Sequence, residues 1–194
     1  MTAFWKACHK FNVKARRLGL LSSLLWMIAP ALALAASPQE IDLSVKLALE
    51  RFHQQVEGSQ TFAANAKGLL VMPNVKKAAL IIGGEYGEGA LLVDGRTVAY
   101  YNLAAASYGL QVGAQAKDII IAFMTEESLQ RFRSSEGWEG GVDGNIALVD
   151  SGGGKRIDTT TVQSPIVAFV FDVKGLIADV SFKGAKFTRI HHDR

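Results

Sequence analysis

"ALLVDGRTVAYYN" (Ala90–Asn102) decides the fold class. Two apolar runs rich in β-forming residues flank Asp94-Gly95, a dipeptide that supplies the positive φ values a tight two-residue hairpin loop needs. Immediately upstream, "LIIGGEYGEGALLV" (Leu80–Val93) sets four glycines and two glutamates between β-forming runs. A dinucleotide loop reads G-x-G-x-x-G from a strand into a helix. Here the order from Gly84 through Gly87 to Gly89 is reversed, and the motif leads into another strand. We read it as a tightly bent or bulged strand connection in which Glu85 and Glu88 bond to neighbouring backbone.

The β pattern continues on both sides of this hairpin. "LLVM" (Leu69–Met72) reads as a strand stopped by Pro73, "SYGLQVGAQA" and "DIIIAFM" as the next pair, and "NIALVD", "IVAFVFD", "GLIADVSF" and "AKFTRI" as the strands that complete the domain. The connections are too short for parallel crossovers, so antiparallel pairing is expected. Two helices frame these strands. "SPQE" (Ser37–Glu40) is a capping box with proline at the first helical position, and Ile41, Val45, Ala48, Phe52 and Val56 follow at spacings of three and four up to Gly58. A short second piece, "QTFAANAKG", closes at Gly68, and "TEESLQRFRSS" is a helix capped by Thr125 between strands. The expected fold is α+β: a mainly antiparallel sheet, sandwich or barrel-like, with an N-terminal amphipathic helix and one inserted helix.

Residues 1–35 have a different character. Five basic residues and no acid precede an apolar run from Leu18, which ends in small residues with Ala33-Leu34-Ala35 as an A-x-A site. That is the layout of a secretory signal peptide, with cleavage expected before Ala36 and an uncleaved membrane anchor as the alternative. Arg16-Arg17 loosely resembles a twin-arginine signal, and the Sec route is the reading preferred. Export would leave residues 36–194 as one domain in the periplasm or at the outer membrane. Removal of five of the 21 basic residues leaves 16 against 18 acids, a formal charge of −2. The broad basic field that draws a protein to nucleic acid is then absent. Cys8, the sole cysteine, leaves with the leader, and with it any disulfide or thiolate chemistry.

Little in the remainder has the spacing that chemistry demands. His53 sits beside an apolar helix face and His191 and His192 lie in the tail, so no histidine cluster is expected. Ser107 lacks the G-x-S-x-G frame of a nucleophile elbow. "SGGGKR" (Ser151–Arg156) lacks the first glycine, the following Ser/Thr and the helix of a phosphate loop. "WEGGVDGN" (Trp138–Asn145) meets little of the EF-hand spacing. A hydrolase built on Glu85, Glu88, Glu139 or Asp143 is the residual catalytic option. The expectation is no enzyme, no cofactor and no metal.

Five pieces then combine: "AKGLLVMPNVKKA" (Ala66–Ala78), "IGGEYGEGALLV" (Ile82–Val93), "YYNLAAASYGLQVGAQ" (Tyr100–Gln115), "FMTEESLQRFRSSEGWEGGVDG" (Phe123–Gly144) and "GLIADVSFKGAKFTRI" (Gly175–Ile190). In this order, over Phe62–Ile190, they resemble the SYLF domain family, also called Ysc84-type or DUF500. The resemblance implies a non-enzymatic lipid-binding module. Eukaryotic relatives bind phosphoinositides, and yeast-type members also bind actin, in chains that carry FYVE or SH3 domains. A leader followed by this domain alone looks like the secreted bacterial branch, for which an anionic envelope phospholipid is the expected ligand and an envelope protein partner the alternative. The cations offered for a headgroup are Lys76 and Lys77, with Lys183, Lys186 and Arg189 near the C-terminus. The N-terminal helix mixes Lys46 and Arg51 with Glu40, Asp42, Glu50 and Glu57, which favours docking on its own domain over lying on a membrane.

Overall fold

The computed structural model describes residues 36–79, 82–108, 113–150, 163–175 and 182–191. Helix α1 (Pro38–Gln55) starts as its sequence dictates. The Ser37 hydroxyl accepts from Glu40 N, and the Glu40 carboxylate accepts from Ser37 N at 2.8 Å. Helix α2 (Ser59–Asn65) follows Gly58, whose φ of 80° turns the chain between the two helices. Strands β1 (Gly68–Ala79), β2 (Ile82–Val93), β3 (Arg96–Tyr108) and β4 (Gly113–Phe123) come next. Helix α3 (Glu126–Ser134) is capped by Thr125, and β5 (Trp138–Glu139), β6 (Ala147–Asp150), β7 (Ile166–Gly175) and β8 (Lys186–Ile190) complete the order.

All eight strands form one sheet in the order β5-β8-β3-β2-β1-β4-β7-β6. The architecture is the expected α+β, in its barrel-like form: a curled half-barrel sheet, mostly antiparallel. Trp138 at one end of the strand order and Ile166 on β7 both lie against Gly144, which is how the curl brings distant strands together. One pair departs from expectation, since β6 runs parallel to β7 with Ala147 opposite Val167. The connection over residues 151–165 is long enough for such a crossover. "SGGGKR" and most of "GLIADVSF" fall outside the described residues.

Because strand side chains alternate, the sheet buries both faces. On one face, Ile41, Val45, Ala48 and Phe52 of α1 and Phe62 of α2 pack on Val71, Ala90, Ile120, Val167 and Phe169. On the other, Leu129 and Phe132 of α3 join Trp138 and Phe187 over Leu70, Met72, Leu91 and Ile121. Phe132 is the centre of that second cluster, with ring centroids at 4.8 Å from Tyr101 and Phe123 and 5.7 Å from Trp138. Burial of one such side chain contributes about 1.5–3 kcal/mol, so these layers outweigh any single polar contact.

Three readings of local sequence are corrected here. "GAQA" and "DIIIAF" are not paired strands but one strand, β4, while Ser107-Tyr108 ends β3. Pro73 does not end its strand: β1 continues to Ala79 through a bulge at Asn74, with φ of 49°. The pairing with β2 shifts between Val71 and Lys76, and that with β4 between Met72 and Val75. A bulge releases Pro73 from donating the ladder hydrogen bond it lacks. Likewise, the glycine-rich motif is no connection but lies inside β2, paired continuously with β3 from Ile82 to Leu91.

Candidate functional site

Lys76 and Lys77 are neighbours on β1 and therefore point to opposite faces. Lys76 is exposed on the face that carries α1, and its partners build a row outward from it. Lys76 is opposite Tyr86 on β2 and Ala116 on β4; Tyr86 is opposite Ala104 on β3, Ala104 opposite Lys186 on β8, and Ala116 opposite Lys174 on β7. Directly opposed residues share a face, so Lys186, Ala104, Tyr86, Lys76, Ala116 and Lys174 form one line across six strands. At the usual strand spacing the line is about 24 Å along the sheet. The adjacent row is smooth, since exposed Gly84 faces exposed Ala106 and Ala78, and Ala78 faces exposed Ala114.

A cleft of about 320 Å³ separates the Lys174 end of this row from α1, lined by Ser44, Leu47, Arg51, Asn74, Ala116 and Lys174 among others. Leu43 and Leu47 on α1 are 60% and 44% exposed. At the cleft floor, Arg51 binds Asp118 at 2.6 Å and Asp172 at 3.3 Å, and Asp118 Oδ1 accepts from Asn74 N at 2.8 Å. The guanidinium is neutralised and pins α1 to the bulges of β1 and β7. Lys174 shares Asp172 at 3.1 Å, whereas Lys76 and Lys186 form no ion pair among the described residues. The row thus presents three lysines beside Leu47, with Glu139 of β5 opposite Lys186 at its far end and Asp172 beside Lys174.

The other sequence-proposed cations lie elsewhere. Lys77, 6% exposed, meets Glu85 at 3.4 Å on the α3 face, and Glu85 also meets Lys117 at 3.0 Å. Lys183 lies in the turn before β8 beside Gly141. Arg189 is opposite Tyr101, in the phase of the α3 face, where its charge partly opposes the upward effect of burial on the Tyr101 phenol. Only Lys76 and Lys186 of the five come together. Lys174 and Tyr86 complete the row without having been singled out in the sequence.

The carboxylates of the glycine-rich motif are separated too. Glu85 and Glu88 are three apart in a continuous strand and sit on opposite faces, Glu88 taking the Tyr86 hydroxyl at 2.6 Å and Ala36 N at 2.9 Å. Asp143 accepts from Glu139 N at 2.7 Å within a turn, and His53 Nδ1 lies 3.2 Å from the Ser59 hydroxyl. Tyr86 is 50% exposed, yet its phenol is pushed up to about 12, first by loss of solvent and then by the Glu88 carboxylate. A folded value above the ordinary 10 means that the contribution is intact below pH about 10 and is lost as pH rises toward 12. Absorbance titration of tyrosinate will therefore show a late step near pH 12 that Tyr86→Phe removes.

The family model described as "Ysc84: Las17-binding protein actin regulator" matches residues 104–192. The match spans 89 of the 194 residues, so it is a likeness of this segment to the Ysc84 family. The description is that of a binding module. The Ysc84 segment contributes Ala104, Ala116, Lys174 and Lys186 to the row, while Lys76 and Tyr86 precede it. No curated protein matches the chain.

Proposed function

We propose that this protein is a non-enzymatic lipid-binding module of a bacterial cell envelope, which receives anionic phospholipid headgroups along the Lys186–Lys76–Lys174 row. The row itself is the observation that carries this reading: three lysines and a tyrosine in one exposed line, bordered by small residues and, at the Lys174 end, by Leu47. Each lysine near an anionic surface contributes about 1 kcal/mol, and tyrosine favours the boundary between headgroup and acyl chain. The Ysc84 signature supports a binding role, and the layout of residues 1–35 supports export to the periplasm or outer membrane, as the secreted bacterial branch of that family. After export the domain is either free, cut before Ala36, or held by the uncleaved leader. Neither a cofactor nor nucleic acid enters this reading.

Co-sedimentation of the exported protein with vesicles tests it. Phosphatidylglycerol-containing vesicles will pellet the protein at low salt, neutral phosphatidylcholine vesicles will not, and raised salt will release it. If no envelope lipid binds while cross-linking in cells recovers one dominant protein, the chain is instead a partner-binding envelope protein.

A further inference from the structure

Ala36 N donates to Glu88 Oε2 at 2.9 Å, and the next main-chain nitrogen, that of Ser37, donates to Glu40 at 2.8 Å. The second contact is the capping box of α1 and needs no further explanation. The first lies before the cap, where no helix requires it, and its acceptor comes from β2, 52 residues away. Ala36 also packs against the core under α1, so its nitrogen is held in a fixed place. The bond expected to be cut, after Ala33-Leu34-Ala35, is the one made by this nitrogen.

We propose that Glu88 is the receptor for the α-ammonium that leader removal creates at Ala36. The step is hydrolysis by an envelope signal peptidase: the Ala35–Ala36 C–N bond breaks, water supplies oxygen to the Ala35 carboxylate, and the Ala36 nitrogen becomes protonated. An amide donor of no net charge is thereby replaced by a cation beside a carboxylate, and such charge-assisted hydrogen bonds are about twice as strong as neutral ones. The strengthened contact ties the entrance of α1 to β2. A start one residue later deletes the nitrogen that Glu88 holds, and a start one residue earlier leaves it an amide. Glu88 and Glu40 favour the ammonium, Lys76 opposes it from β1, and the Tyr86 phenol stays neutral below its raised pKa of about 12 and donates to the other Glu88 oxygen.

This inference rests on the export reading above, and the experiment separates the two. The full chain with its leader is expressed in a Sec-competent bacterium, the product is sequenced from its N-terminus, and the Ala36 α-amino group is titrated by NMR. The product will begin at Ala36, with a midpoint about one unit above the ordinary 7.7–8.0. Glu88→Gln will return the midpoint to that range, and Tyr86→Phe will leave it raised. A product left in the cytoplasm overturns both readings; a leader retained on an exported product, a cut at another bond, or an ordinary midpoint in the unsubstituted protein overturns this inference alone. The unsubstituted midpoint decides the matter even if Glu88→Gln fails to fold.

Discussion

Gly89→Ala will lower the stability of this domain by roughly 3 kcal/mol or more, at the upper end of what overpacking costs. A β-carbon at Gly89 would lie 2.0 Å from the Val71 carbonyl oxygen, 2.7 Å from Met72 Sδ and 2.9 Å from Met72 Cα. Two of these neighbours are main chain in a strand paired on both sides, so they cannot swing away as a side-chain tip would. The close approach arises because β1 bulges between Val71 and Lys76, opposite the Gly87–Gly89 stretch of β2. Gly84 is the control in the same motif. A β-carbon there meets only the Ala105 carbonyl oxygen, at 3.6 Å, so Gly84→Ala will stay within about 0.5 kcal/mol of the original. Urea unfolding midpoints of the two variants check the pair, and a Gly89→Ala midpoint equal to that of Gly84→Ala would refute the packing argument.

Glu85→Gln is the second large effect. The Glu85 carboxylate lies between Lys77 at 3.4 Å and Lys117 at 3.0 Å, and all three side chains are less than one-tenth exposed. Loss of the carboxylate charge leaves two ammonium groups buried together, and an uncompensated buried charge costs about 3–5 kcal/mol. Lys117→Met has a different consequence, because it leaves Lys77 and Glu85 as a neutral pair and puts an unbranched apolar chain in the vacated space. Its cost will be about 1–2 kcal/mol, the ordinary range for a single substitution. Thermal or urea unfolding of both variants gives the order, and a Lys117→Met protein less stable than Glu85→Gln would contradict it.

Much of the fold was legible because local signals agreed with the tertiary outcome. Asp94 and Gly95 take φ values of 50° and 72°, as the hairpin reading of that dipeptide requires. The Ser37 and Thr125 caps, and the buried set Ile41, Val45, Ala48 and Phe52, were fixed by residue type and spacing alone. What escaped was wherever the alternation changed phase. The bulge at Asn74 hid the continuation of β1 past Pro73, and that at Asp172, with φ of 50°, hid Lys174 by turning it onto the α1 face. Lys76 and Lys77 could be recognised as cations, but which of them faces water depends on which sheet face α3 closes. Lys186 joins Lys76 only through the order β8-β3-β2-β1, a long-range arrangement that spacing along the chain does not encode.

The role of the row is tested most directly by vesicle binding of a protein in which Lys76, Lys174 and Lys186 are all replaced by glutamine, with Lys183→Gln as the control outside it. These residues are exposed, so unfolding midpoints will remain close to those of the original protein. Partition onto phosphatidylglycerol vesicles will fall roughly a hundredfold in the triple variant, from about 1 kcal/mol per lysine, and will change far less in the control. Undiminished binding by the triple variant would contradict the assignment of this face as the lipid-binding surface.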